Sequence, residues 1–217
     1  MTITSVRSIG TDGLRISISL DRSPAGQLDR DTATALGIER GAVLTEDMFE
    51  PLIAAIDHSA ALKRAFRLIN VRDRSSGELR DRLRRAGHQA GTVEAIVERL
   101  MSDGFIDDER LAERLASGLA GRGKAGRRLV DMKLAQRGIA RDTAAQAAAA
   151  ASEERDALGD ATVLAQKRAG NMVGRLEPQV VRRRLAGYLT RRGFDADTVR
   201  QALDATLQPN EHPDELR

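Results

Sequence analysis

The chain has 217 residues, of which 41% are apolar and only 2% aromatic, with one Tyr (Tyr188), four Phe and no Trp. Ala and Leu must therefore do most of the packing, which favours close-packed helices over a sandwich or barrel rich in β-branched and aromatic residues. The absence of Cys excludes disulfides and thiolate chemistry, no apolar run approaches the roughly 20 residues that span a bilayer, and the polar N-terminus has no apolar signal core. The expected location is cytoplasmic, with no membrane association.

Net charge is only +3, from 35 basic and 32 acidic residues. It is unevenly spread: residues 1–60 hold 5 Arg against 9 Asp/Glu (net −4), and residues 61–100 hold 10 basic against 5 acidic (net +5). An acidic start joined to basic helices points to different partners for the two regions, or to the acidic region shielding a basic face. Shielding predicts that deleting residues 1–57 raises DNA affinity.

Asp12-Gly13 is a turn signal. After it, Leu14, Ile16, Ile18 and Leu20 alternate with Arg15, Ser17 and Ser19, the two-residue period of a half-buried strand. Residues 21–26, with Pro24, read as a loop. Residues 31–36 read as a short helix stopped at Gly37. Residues 45–56 read as another, capped by Thr45, with Met48, Leu52 and Ile56 on one face.

From about residue 60 the pattern is helical and repeats three times. Leu79, Leu83, Gly87, Thr92 and Val93 align without gaps with Val130, Leu134, Gly138, Thr143 and Ala144, and with Leu185, Leu189, Gly193, Thr198 and Val199. The two aliphatic residues lie one turn apart on one face. The Gly can take the left-handed conformation that ends a helix. The Thr falls at the N-cap or first turn of the next helix. A further helix is expected before each pair: 61–71 with Leu62, Phe66 and Ile69; 108–119 with Leu111, Leu115 and Leu119; and about 155–172 with Leu158, Val163 and Leu164. The expected fold is mainly all-α, three tandem three-helix repeats forming an elongated, curved array, with a small N-terminal α/β extension. The boundaries fall at 1–57, 58–104, 105–154, 155–208 and a disordered tail over 209–217. The Ala-rich stretch 144–151 favours helix but offers little side chain to pack.

Reactive residues do not converge. His58, His88 and His212 are far apart in sequence, and none has metal-ligand spacing. Asp107, Asp108 and Glu109 suit the first turn of a helix. The stretch 121–126 lacks the Gly-x-x-x-x-Gly-Lys-Ser/Thr phosphate-loop spacing and a preceding strand, so it reads as a basic linker in which Arg122 and Lys124 can touch phosphate. Neither enzyme activity, a metal nor a cofactor is expected. The strongest signal is basic: Arg80, Arg82, Arg84 and Arg85 on one helix; Arg127, Arg128, Lys133 and Arg137 on the second equivalent helix; Arg182, Arg183, Arg184, Arg191 and Arg192 on the third. Arg forks suit phosphate and carboxylate, and stacked units would align these helices into one basic surface.

Residues Arg74-Ser75-Ser76-Gly77-Glu78-Leu79, then Leu83 and Gly87, resemble the Arg-Ser-x-x-Glu-Leu signature of the RecX family. Gly104-Phe105-Ile106-Asp107-Asp108 followed by Ala112 resembles its second signature, and Arg191-Arg192-Gly193-Phe194 its C-terminal element. The resemblance covers residues 58–207 and implies three tandem three-helix repeats without catalytic residues or cofactor. It also implies binding to the RecA recombinase filament on single- or double-stranded DNA, with inhibition of extension, strand exchange and ATP hydrolysis. Arg74 joins the filament-binding candidates through this motif, with Ser75 read as a helix cap, Glu78 as its capping-box partner and Leu79 as core. Leu111 stands where the family usually has an aromatic residue, and with the Ala-rich helix it implies weaker packing in the middle unit. The rival reading is a free-standing helical DNA-binding protein. Either is expected to be monomeric.

Overall fold

In the computed structural model, residues 1–121, 125–153 and 155–207 are described; the expected phosphate contacts Arg122 and Lys124, and the tail 209–217 with His212, lie outside them. The chain divides into two compact units, residues 1–107 and 108–217.

The first unit opens with an antiparallel sheet of order β1-β2-β3, comprising Ile3–Ile9, Arg15–Leu20 and Ser23–Asp29. The strand expected around Ile16, Ile18 and Leu20 is β2, and these three side chains are buried, whereas Leu14 is exposed. The expected loop over 21–26 is instead a two-residue hairpin turn followed by β3. Asp21 and Arg22 adopt φ of 46° and 66°, the left-handed pair that matches the twist of a tight hairpin. Pro24 is tolerated because β3 is an edge strand and needs no donor on its free side.

Helix α1 (Arg30–Ala35) stops before Gly37 as expected. Helix α2 runs without a break over Glu46–Val71, so the two helices expected over 45–56 and 61–71 are one. Pro51 removes a single amide donor near the start of α2, and the buried residues of the helix, Leu52 first among them, all follow it. Leu52, with Met48 and Ile56 beside it, packs into the sheet core; farther along, Ala61 and Ala65 pack into the first helical core. Thr45 holds the N-cap position but its side chain makes no capping bond. Helices α3 (Ser76–Arg85) and α4 (Ala90–Ser102) complete the first three-helix unit, around Leu79, Leu83, Val93, Ile96, Val97 and Leu100.

The second unit holds α5 (Asp108–Ala120), α6 (Arg127–Gln136), α7 (Arg141–Glu153), α8 (Ala157–Ala169), α9 (Pro178–Arg191) and α10 (Ala196–Leu207). Two cores form, one for each helix triplet. The leading helices bury small residues: Ala112, Ala116 and Ala120 on α5, and Ala161, Ala165 and Ala169 on α8. The stripe expected on α8 is therefore corrected: Leu158 and Val163 are exposed, and only Leu164 leans on the core. Alanine at spacing four lets helix axes approach closely, and the larger residues on the neighbouring helices fill the gap. In the middle triplet Leu111 is buried, and Ala144, Ala147 and Ala148 face the core from α7.

The second helix of every triplet ends alike. Gly87, Gly138 and Gly193 have φ of 89°, 72° and 86°. The next amides, of His88, Ile139 and Phe194, donate back to Leu83, Leu134 and Leu189, each at 3.3 Å, and the Gly amides donate to Arg84, Ala135 and Thr190. This is the paired-bond helix stop that satisfies carbonyls left over at the helix end. Gly193 has a second duty. The Gly126 amide donates to the Arg192 carbonyl at 2.8 Å and the Arg128 amide to the Gly193 carbonyl at 3.2 Å. The open carbonyls ending α9 thus meet the open amides starting α6, with helix dipoles head to tail.

Gly87→Ala is expected to cost about 1 kcal/mol, the left-handed penalty alone, because nothing lies within 4 Å of its added Cβ. Gly193→Ala is expected to cost about 3 kcal/mol or more, because its Cβ would sit 2.2 Å from the Leu129 amide nitrogen and break both inter-helix hydrogen bonds, worth about 1 kcal/mol each. Urea unfolding of both variants measures the difference; equal losses would mean that the Gly193 contact contributes nothing.

Candidate nucleic-acid interface

The basic residues of α3 do not stand free. The Ser75 hydroxyl caps α3 by accepting from the Glu78 amide at 3.0 Å, as the motif implies, and the Glu78 carboxylate gathers Arg72, Arg74 and Arg82. Arg74 is buried at 8% exposure, and its Nε donates to the Leu68 carbonyl at 2.9 Å. It ties the end of α2 to the start of α3 from inside the protein. Burial lowers its pKa and the Glu78 charge opposes that, but a guanidinium stays charged. Arg80 and Arg84 both bind Glu94 on α4, at 2.7 and 2.6 Å. The hydrogen bond from Arg80, opposed by partial burial and aided by both guanidinium charges, holds Glu94 below the ordinary carboxylate value. Arg85 is loosely paired with Asp81 at 3.8 Å.

The other two basic helices differ. On α6, Arg127 and Arg128 are exposed in the first turn, Lys133 is exposed and bonded to Gln136, and Arg137 is half-buried. On α9, Arg182 pairs with Asp204 at 2.7 Å, and the half-buried Arg192 joins Arg168 over the Tyr188 ring at 5.2 and 4.7 Å. Arg183, Arg184 and Arg191 are exposed, and none forms an ion pair with a described carboxylate.

Two capping sites were not legible beforehand. Thr198 lies in the first turn of α10, as expected, and Asp195 caps the helix: its carboxylate accepts from the Thr198 amide at 2.8 Å and from its hydroxyl at 2.7 Å, and the hydrogen bond from that backbone amide above all lowers its pKa. At α4 the cap comes from α2, since Asp57 accepts from the Gln89 amide at 3.1 Å and pairs with His88 at 2.7 Å. Burial pushes the Asp57 pKa up, but the bonds from His88, Thr92 and Gln89 outweigh it, so the net shift is downward. No spacing or motif singles out Arg7, Arg15, Lys63, Arg64 and Arg67, which lie on the first unit's surface.

Among the described residues, no group of three or more metal-ligating side chains is present and no helix is long and apolar enough to cross a membrane. Asp108 and Glu109 occupy the first turn of α5, as expected.

The architecture defines a helical-repeat protein in which a β-sheet module is followed along the chain by three three-helix units. Residues 61–100, 107–147 and 156–203 match in order the first, second and third three-helix domains of RecX, and the chain belongs to the RecX family. It is 33% identical over 147 residues to regulatory protein RecX of Halorhodospira halophila, covering 68% of this chain and 88% of that one. It is 29% identical over 202 residues to regulatory protein RecX of Lacticaseibacillus paracasei, covering 92% and 82%. A crystal structure of regulatory protein RecX superposes with a TM-score of 0.70 at 19% identity, covering 94% of this chain and 98% of that one, a likeness of fold that includes the sheet module.

Glu78→Gln is expected to cost about 2–3 kcal/mol in urea unfolding, because it strands the buried Arg74 charge, whereas Glu94→Gln breaks exposed pairs and should cost under about 1 kcal/mol. Asp57 makes its own pH signature. Its folded pKa lies below the unfolded 3.8, so its contribution is present above that value and is lost as pH falls through the folded pKa. Asp57→Asn should therefore lower stability by about 1 kcal/mol at pH 7, with the gap closing on acidification; a gap constant with pH would exclude the carboxylate as its cause.

Proposed function

We propose that this protein regulates the RecA recombinase by binding its filament on DNA, in the cytoplasm and without catalysis of its own. The contacts would be electrostatic and steric. Guanidinium groups on α6 and α9 meet DNA phosphates and acidic recombinase surface, and occupancy blocks subunit addition, strand exchange and the associated ATP hydrolysis. One observation carries the choice of contacts: Arg183, Arg184 and Arg191 are exposed and have no carboxylate partner among the described residues. Arg127 and Arg128 at the start of α6 belong with them. Arg82, Arg84 and Arg85 keep enough exposure to contribute from α3, and Lys133 from α6. Arg74 is assigned to the fold rather than to the interface.

The reading is tested by binding the whole chain to single-stranded DNA and to RecA filaments on the same DNA over a salt series, with ATP hydrolysis followed in parallel. Tighter binding to the filament, falling hydrolysis and a loss of roughly tenfold or more in affinity for the variant Arg183→Gln, Arg184→Gln, Arg191→Gln are expected, since each phosphate neutralised releases counterions. Equal binding to bare DNA with unchanged hydrolysis would replace the regulator with a free-standing DNA-binding protein.

A further inference from the structure

Helix α2 changes character along one face. Ile56, Ala60, Lys63, Arg64 and Arg67 recur at helical spacing. At its start this face is pressed to the sheet so closely that a Cβ on Gly26 would lie 2.2 Å from Ile56 Cγ2. One turn on, the contact opens into a groove of about 500 Å³, lined by Lys63, Arg64 and Arg67 from α2 and by Arg15, Gly26 and Gln27 from the sheet. Arg15 bridges the two sides, donating to Gln27 at 3.3 Å and to the Ser59 hydroxyl on α2 at 3.4 Å.

Gly26 and Gln27 also border a second concavity, on the outer face of the sheet, where Ser5, Arg7, Ser17, Ser19 and Arg22 lie. The strand register puts Ser5 beside Ser19 and Arg7 beside Ser17, and Ser17 beside Gln27. Neither concavity has a carboxylate in its lining. Arg7, Arg22, Lys63, Arg64 and Arg67 form no ion pair with any described carboxylate. Asp57, the α2 carboxylate next to this surface, is occupied by His88 and the Gln89 amide.

We propose that the outer face of the sheet and the adjoining basic face of α2 form one continuous binding surface for the sugar–phosphate backbone of a nucleic-acid strand. The chemistry selects that partner. Guanidinium, ammonium, hydroxyl and amide donors, in linings that hold no carboxylate, match phosphate oxygens; Asp29, opposite Arg15 in the strand register, lies outside both linings. An acidic protein would also be attracted by charge, but protein interfaces are built around aromatic and apolar anchors, and no Phe, Tyr or Trp lines either concavity, while the one imidazole, His88, is held by Asp57. For the same reason bases find no stacking platform, so binding is independent of sequence. The acidic average of residues 1–60 hides this surface, because three of its nine acids, Glu46, Asp47 and Glu50, are gathered in the opening turns of α2. The module thus adds DNA affinity instead of shielding a basic face. The inference rests on the proposed function for the presence of DNA and adds a second contact region to it.

The test is fluorescence anisotropy of the full chain with labelled oligo-dT over a salt series, with circular dichroism confirming the fold of every variant. The slope of log affinity against log salt is about 0.7 per phosphate contact for single strands. Lys63→Gln, Arg64→Gln, Arg67→Gln should reduce it by about 2 and Arg7→Gln, Arg22→Gln by about 1.4. The charge-retaining Lys63→Arg, Arg64→Lys, Arg67→Lys should keep it. Unchanged slopes in the helix variant, or in the sheet variant, overturn the inference. If the slope is unchanged but binding to RecA filaments is lost, the surface meets protein, which also overturns it. The α9 variant separates the two claims: a filament defect there, with flat slopes here, retires this surface and leaves the proposed function standing.

Discussion

Each three-helix unit depends on a backbone conformation that L side chains rarely adopt. The second helix must stop and the chain must reverse within four residues, so that the third helix returns across the first two. A glycine in the left-handed region does this, and the amide after it closes the turn onto the leucine one helical turn earlier. That closure also places the next side chain. Ile139 and Phe194 fall into their own cores, while His88 in the same position is caught by Asp57. The leucines that anchor the core and those whose carbonyls anchor the turn are the same residues, so burial and turn formation support each other.

Alanine on the leading helices sets the second condition. Ala61 and Ala65, Ala112 and Ala116, and Ala161 and Ala165 are all fully buried. Each is a place where helix backbones come close and neither partner loses much side-chain freedom. The middle triplet takes this furthest, with Ala144, Ala147 and Ala148 where the first has Val93, Ile96 and Val97. Its core is built from leucines on α5 and α6 closing over a thin α7.

The repeats were legible because the glycine, threonine and aliphatic positions recur at one spacing, and spacing survives in sequence. The buried faces of the leading helices were less legible. Periodicity is judged from large apolar residues, and on α8 Leu158 and Val163 point outward while alanine, which is as common outside as inside, faces the core. Strands β1 and β3 escaped notice because neither alternates cleanly, and β3 contains Pro24 and Gly26; what makes them strands is pairing with β2. Charge was the hardest to read. Glu94 neutralises arginines 14 and 10 positions away, and Asp204 reaches Arg182 across 22. No local count separates these engaged cations from Arg183 or Arg64.

Helix α2 belongs to two cores at once. Leu52 and Ile56 serve the sheet module, and Ala61 and Ala65 serve the first helical unit, with no linker between. A helix advances by about 100° per residue, so adding or removing one residue between Ile56 and Ala61 would turn one core's face a quarter circle away from the other's. The stretch therefore tolerates substitution far better than a change in length. A hybrid that exchanges the sheet module with a relative's must join within the loop before Thr45, or else preserve the helical phase across this stretch to the residue.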